Sequence, residues 1–484
     1  MRKNHFNFDS RTKPFKHQGW VSEAISGNRP VALFDEQGLG KTKIVIDALC
    51  KDFKNKLIDG AFIVCKKTLI TTWINEIKTH SNLYGMELTG NKYDRKRYFQ
   101  TFAHFYVIGY ESFVQEFDYI KQFFEVRKLA FVLDESHKIK NPEGKVSKAV
   151  LAIRRLAKKR IIITGTPVAN KPEDLWSQFY FLDDGDRLGT DYKAFKKEYG
   201  IDISMGNHVI DQGKLEELKG RIGDISIRRT KDSIPDLSIP PKNPPVNKYV
   251  NLTGKQLAMY HRLRQTLRVE IMRMDGNYII DHSSNVLKKL LRLIQITSNP
   301  LLLDRSFEAT PAKFTALDLL VKQIIKRNEK VIIWTVFVDN VLILKRKYAK
   351  LGSLTLYGNM TRSEKDRAVK LFQTDKDYKV LVANPSVAGV GLTLTAANNA
   401  IYLDRNFNMG DYLQSQDRIH RLGQKKRCNI IRLMAKNTID EYVDDLLEKK
   451  QDVAKFIQGD SSTIRPGESF LSKQELIKIL GKGR

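Results

Sequence analysis

Short, continuously apolar runs that end in small or polar residues recur in the first third of the chain, at 31–34, 61–65, 105–108, 129–133 and 160–164. Segments with helical spacing of their apolar positions fill most of the gaps. A strand that is apolar without alternation is one covered on both faces, so this stretch predicts a doubly wound α/β lobe around a parallel sheet. A second set at 331–336, 354–357, 379–382, 400–403 and 429–433 predicts a second lobe of the same kind. Between them, from about 172 to about 305, strand signals fade and amphipathic helical stretches dominate. The proline-rich run 239–245 reads as a hinge or linker, and 287–296 as a core-packed helix whose Lys288, Lys289 and Arg292 form a solvated face. There is no internal repeat and no low-complexity tail. The expected organisation is a first lobe over 1–171, helical insertions and a linker over 172–311, a second lobe over 312–440 and a C-terminal helix with a tail over 441–484.

The chemistry-bearing residues fall at the ends of these strands. A loop that cradles phosphate needs glycines so that backbone N–H groups can close around oxygen, a lysine for the β and γ charges, and a hydroxyl for magnesium. Gly38, Gly40, Lys41 and Thr42 supply that set between a strand and a helix, although Asp35 stands where the general loop pattern has its first glycine. The strand at 129–133 delivers Asp134-Glu135-Ser136-His137 at its carboxyl end, where open α/β sheets bind ligands. Asp134 there can hold a magnesium ion through water, and Glu135 can orient and deprotonate an attacking water. Far downstream, Arg418 and Arg421 are three residues apart. Asp411 as a cap with Gln414 three residues on, and Gly423 as a left-handed terminator, predict that both arginines project from one helix face and could act as arginine fingers.

Composition narrows the partner. Lys+Arg number 83 against 55 Asp+Glu, a formal net charge of +28, which suits a polyanion, with nucleic acid ahead of an acidic membrane surface. Three scattered cysteines and nine unclustered histidines predict neither a disulfide framework nor structural zinc, and imply a reducing interior. The N-terminus lacks the apolar core of a signal peptide, and no apolar run approaches membrane-spanning length. A cytoplasmic protein is expected, or a nuclear one if the source is eukaryotic.

Taken together, the motifs resemble the Swi/Snf family of superfamily 2 helicase-like DNA translocases over nearly the whole chain. Residues 35–42 are similar to the family's phosphate loop, with Gln37 for methionine, which accounts for the missing first glycine. Phe15-Lys16-His17-Gln18 looks like the upstream motif whose glutamine reads adenine. Residues 63–68 with Trp73 and Glu76 are similar to the motif contacting the tracked strand, with Lys66 for the usual proline. Trp73 itself reads as a core aromatic. Thr164-Gly165-Thr166-Pro167 matches the motif that couples hydrolysis to movement. Arg228-Arg229-Thr230-Lys231 with Pro240-Pro241-Lys242 looks like the inter-lobe segment, and 291–296 resembles the second helical insertion. Residues 389–395, 414–424 and 435–441 continue the likeness, with Met409 where a proline is usual.

The resemblance implies two RecA-like lobes with helical insertions between them, and ATP-driven tracking along one strand of duplex DNA with ATP and Mg2+ as cofactors. It implies Gln18, Gly38, Gly40, Lys41 and Thr42 at ATP, Thr42 and Asp134 at the metal, Glu135, Lys41, Arg418 and Arg421 in catalysis, and Thr164 and Thr166 in coupling. Lys67, Thr68 and Thr393 are the expected strand contacts, gripping backbone without reading sequence. Without a bromodomain, chromodomain, zinc module or nuclease signature, the chain is similar to minimal phage and bacterial motors, and remodelling of forked or branched DNA is the expected task. The alternatives are an RNA helicase, and a nucleic-acid-binding ATP clamp with little turnover.

Overall fold

The computed structural model describes residues 6–200, 211–234, 237, 239–273, 283–463, 477, 480 and 481. The tail expected beyond 463 therefore lies almost wholly outside the described residues. The chain divides into two compact units. The first holds Met1–Gly200, Asp211–Leu237 and Val453–Ile464, and the second holds Ser238–Asp452. The middle stretch 172–311 is thus shared, its first part packing with one unit and its remainder with the other.

The first unit is built on a seven-stranded sheet. Its strands are β1 (Val31–Leu33), β2 (Gly60–Cys65), β3 (Gly85–Glu87), β4 (Phe105–Gly109), β5 (Leu129–Asp134), β6 (Lys159–Ile163) and β7 (Ser226–Ile227). They lie in the order β3-β4-β2-β5-β6-β1-β7, all parallel. Because side chains alternate across a strand, β2 sends Ala61, Ile63 and Cys65 to one face and Phe62 to the other, and both faces are buried. Ile44, Val45 and Leu49 of the helix Lys41–Lys54, with Ile70, Trp73 and Ile77 of the helix Ile70–His80, cover the first face. Phe62, Phe113, Phe124, Phe131 and Phe181 fill the second with mostly edge-to-face rings.

The second unit repeats the plan with six strands: β8 (Val246–Val250), β9 (Lys330–Trp334), β10 (Ser353–Leu356), β11 (Val380–Ala383), β12 (Ala397–Tyr402) and β13 (Asn429–Ala435). Their order is β10-β11-β9-β12-β13-β8, again all parallel. All ten expected strands are present, and both units are the parallel α/β lobes the apolar runs predict. Three strands carried no such signal. β3 reads Gly-Met-Glu and is not an apolar run, β7 has only two residues, and β8 is an edge strand whose Val246 and Tyr249 remain about half exposed, so it never shows a continuous apolar run.

The proline-rich stretch before β8 is not a free hinge. Lys242 bridges Cys428, Asn243 N–H donates to the Cys428 carbonyl at 2.9 Å, and the Pro240 carbonyl bonds His420 Nε2 at 3.0 Å. Extended proline-rich backbone keeps its carbonyls available as acceptors, which lets it run beside the strand instead of looping away.

Candidate nucleotide site and basic cleft

In the first unit, β1 leads through Phe34–Gly40 into the helix Lys41–Lys54. Gly38 and Gly40 both have left-handed backbone, with φ of 91° and 80°, a conformation that β-carbon-bearing residues avoid. The Lys41 ammonium turns back onto this loop, donating to the Asp35 carbonyl at 2.8 Å and the Glu36 carbonyl at 3.3 Å. Burial pushes its pKa down, against the fields of Glu135, Asp35 and Asp134. Gln18 packs on the same loop: its amide donates to the Leu39 carbonyl at 3.3 Å, and its oxygen accepts from Phe15 N–H at 3.1 Å. A β-carbon on Gly40 would sit 2.3 Å from Gln18 Nε2, so glycine there is required by packing as well as by φ. Thr42 follows, half-buried, in the first turn of the helix.

The acidic pair stands at the end of β5, separated from β1 only by β6. Asp134 accepts the indole N–H of Trp73 at 2.8 Å on one oxygen and the backbone N–H of Glu135 at 2.9 Å on the other. Its backbone carbonyl accepts the Tyr110 hydroxyl at 2.8 Å. Burial first, and then the neighbouring Glu135 charge, push the Asp134 carboxyl up to about 6. Glu135 has φ 53° and ψ 51°, left-handed backbone on a residue with a side chain, which is strain of the kind held in place at functional sites. Its Oε2 lies 3.5 Å from Thr164 Oγ1 and 3.3 Å from His137 Nδ1. Burial drives His137 down to about 4, so the imidazole is neutral near pH 7, and its Nδ1 shares a hydrogen bond with Thr164 Oγ1 at 3.2 Å. Thr164 Oγ1 also accepts the Thr166 N–H at 3.1 Å, and Thr166 Oγ1 is buried with no hydrogen-bond partner among the described residues. A β-carbon on Gly165 would meet Gln37 Cγ at 2.7 Å and Lys41 Nζ at 3.5 Å, which places the 164–166 turn directly against the loop.

Two sets of residues take part in this site in ways that the sequence does not announce. Trp73 is buried as expected, yet its N–H is spent on Asp134. The available signal was the indole itself, since a buried N–H must find an acceptor. Arg228 and Arg229 lie beside the loop: Arg229 forks onto the Asp35 carboxylate, and Arg228 donates to the Phe34 carbonyl at 2.6 Å. Only the strand pairing of β7 with β1 brings them there.

In the second unit, the helix Met409–Gln416 ends before both arginines. The expectation that Arg418 and Arg421 share a helical face is therefore corrected: they lie in the turns that follow. The chain leaves the helix because its next carbonyls have other partners. The Arg418 carbonyl accepts Leu394 N–H at 2.9 Å, and the Ile419 carbonyl accepts Gln424 Nε2 at 3.0 Å. The two guanidinium groups nevertheless converge on one carbonyl, that of Leu392, at 3.4 Å for Arg418 and 3.0 Å for Arg421. The cap is Asn408, accepting from Asp411 N–H at 3.2 Å, not Asp411. Met409 fills the first helical position, where a proline would also be tolerated because that N–H needs no helical acceptor. Gly423 is left-handed, φ 94°, as expected, but it lies beyond the end of the helix at Gln416 and does not terminate it.

Of the expected strand contacts, Lys67 and Thr68 are exposed at the mouth of a cleft of about 580 Å3 that Lys66, Thr89, Arg95 and Lys138 also line. Arg95 is committed to Glu116, at 2.7 Å, so the exposed cations there are Lys67 and Lys138. Thr393 lies half-buried in the second unit, directly after the carbonyl that the two arginines hold. No helix among the described residues is long and apolar enough to cross a membrane.

Residues 18–302 match the model of the SNF2-related domain, and residues 313–423 match the helicase conserved C-terminal domain. An uncharacterized ATP-dependent helicase of Mycoplasma genitalium is 27% identical over 95% of this chain and 43% of its own length. The putative ATP-dependent helicase/translocase YwqA of Bacillus subtilis is 26% identical over 92% of this chain and 48% of its own length. This chain thus spans less than half of each. The SWI2/SNF2 ATPase core of Sulfolobus solfataricus in complex with dsDNA aligns over 98% of both chains at 27% identity, with a TM-score of 0.44.

Proposed function

The chain belongs to the SNF2-related family, and from that premise we propose that it is an ATP-dependent DNA translocase that tracks on duplex DNA and remodels forked or branched substrates. The observation that carries the reading is the convergence of a glycine-hinged loop, the Lys41 ammonium, the Asp134–Glu135 pair and the Thr164–Thr166 turn at the carboxyl ends of β1, β5 and β6. Phosphoryl transfer asks a protein for positioning and charge stabilisation, and this set offers both. The loop N–H groups and Lys41 bind the phosphates, Gln18 stands at the base side, and Glu135 orients the attacking water and takes its proton. A hydroxyl and a carboxylate are hard oxygen donors that suit Mg2+, so Thr42 and Asp134 would hold that ion, which supplies charge neutralisation at the phosphates. Arg418 and Arg421 act on the charge that develops during transfer. Lys67, Thr68 and Thr393 grip the DNA backbone, giving sequence-independent, salt-sensitive binding.

The test is ATP hydrolysis measured without nucleic acid, with linear duplex, fork and four-way-junction DNA, and with RNA. Stimulation by DNA over RNA is expected, with forks and junctions above linear duplex. Equal activity on linear and branched DNA counts against the remodelling role, and stronger stimulation by RNA counts for an RNA helicase. Glu135→Gln should bind ATP but not turn it over; a variant that behaves as the parent would mean a clamp in which hydrolysis is dispensable.

A further inference from the structure

Three consecutive residues at the start of the phosphate loop, Phe34, Asp35 and Glu36, are each held by the segment 227–231. Phe34 N–H donates to the Ile227 carbonyl at 2.8 Å and Glu36 N–H to the Arg229 carbonyl at 2.8 Å, extending the β1–β7 pairing into the loop. Side chains reinforce the pairing. Arg229 Nε reaches Asp35 Oδ1 at 3.1 Å, its second nitrogen takes Oδ2, and its third takes the His17 carbonyl. Asp35 is fully buried, so the guanidinium fork is what makes a carboxylate tolerable there. Lys231 closes on Glu36 twice, through its N–H at 2.8 Å and its ammonium at 3.1 Å. The carbonyls of Asp35 and Glu36 are also where Lys41 rests.

This clamp has an outer anchor. Arg228 donates to the Phe34 carbonyl at 2.6 Å with one nitrogen, and grips Asp460 with the other two at 3.1 and 2.6 Å. Asp460 sits just past the helix Ile439–Ile457, in the segment from Val453 that packs in the first unit. That segment is docked: Phe456 and Ile457 are buried, Lys219 lies 5.4 Å over the Phe456 ring, and Asp460 N–H is tied to the Lys455 carbonyl at 2.8 Å. A single side chain, Arg228, therefore joins the C-terminal return segment to the first residue of the loop.

We propose that Arg228 and Arg229 are positioning residues for the phosphate loop, and that docking of the return segment through Asp460 tunes nucleotide affinity. The proposal rests on the reading of this loop as an ATP site. It also explains Asp35 standing where a glycine is general, since a glycine would leave Arg229 without its anchor.

The experiment uses the full chain, a fluorescent ATP analogue for binding, and steady-state hydrolysis for KM and kcat. Asp460→Asn, remote from the phosphates and at the surface, should raise the analogue's Kd and the KM for ATP about three- to tenfold, with a smaller change in kcat. Arg228→Ala should do the same, and Asp460→Glu, which keeps the carboxylate, should restore most of the affinity. Asp35→Asn and Arg229→Ala should be more severe, and thermal unfolding separates loss of affinity from loss of fold. If Asp460→Asn and Arg228→Ala both bind the analogue as the parent does, the proposal is overturned while the ATP site stands. If the parent binds no nucleotide, the reading of the loop fails and the clamp with it.

Discussion

The indole Nε1 of Trp73 donates to Oδ2 of Asp134 at 2.8 Å. Trp73 lies in the helix Ile70–His80 that directly follows Lys67 and Thr68, so one side chain joins the element carrying the candidate DNA contacts to the carboxylate of the acidic pair. Trp73→Phe keeps an aromatic ring but removes the donor from a half-buried carboxylate, a loss of about 1.5–3 kcal/mol in that hydrogen bond. We expect DNA-stimulated ATP turnover to fall about tenfold or more while DNA affinity, read by fluorescence anisotropy, stays within twofold. Parallel loss of both would mean that Trp73 serves packing alone.

Arg418 and Arg421 both hold the Leu392 carbonyl, at 3.4 and 3.0 Å. Alanine at either position should lower stimulated hydrolysis by about a thousandfold while leaving DNA binding largely intact. Arg421→Lys should not rescue, because an ammonium lacks the planar fork. Stimulated turnover retained in both alanine variants would remove the arginines from the mechanism.

Lys159 and Asp52 form a fully buried pair, with Lys159 also donating to the Ile25 carbonyl at 2.7 Å and Asp52 accepting from Ser26 and Gly27, each at 2.8 Å. Removing one partner strands a charge in the core. Lys159→Met should cost about 3–5 kcal/mol in urea unfolding, and the double change with Asp52→Asn should recover part of it. A loss in the double variant equal to the sum of the losses in the two single variants would show that the pair is not coupled.

His104 is buried among Phe6, Phe8, Phe53 and Phe102, and its Nδ1 accepts Tyr84 N–H at 3.3 Å, which requires the neutral ring. Burial and the Arg127 charge push its pKa down to about 4, below the ordinary histidine value, and burial does the same to His137. Between those values the unfolded chain binds more protons than the folded one, so stability rises with pH. The contribution is complete above about pH 6.5 and is lost as the pH falls toward 4. His104→Gln should flatten the melting temperature over that window relative to the parent; an unchanged slope would show that His104 is not responsible.

What the sequence determined by itself was whatever local pattern can encode. Continuous apolar runs mark strands covered on both faces, so ten strands were legible, and the left-handed turn at Gly423 was legible because glycine tolerates that conformation. The acidic pair was readable as the end of a buried strand. Tertiary structure alone decided the rest. A helix stops where its carbonyls find better partners, so the turns carrying Arg418 and Arg421 depend on Leu394 and Gln424, and no local signal announces them. An edge strand such as β8 needs only one neighbour and one covered face, so it carries no apolar run. Asp35 and Arg229 are 194 residues apart, and Arg228 and Asp460 are 232 apart. Charges that distant in sequence become partners only when β7 adds to β1 and the C-terminal segment returns to the first unit, because an ion pair is specified by where the backbone ends up and not by the residues that flank it.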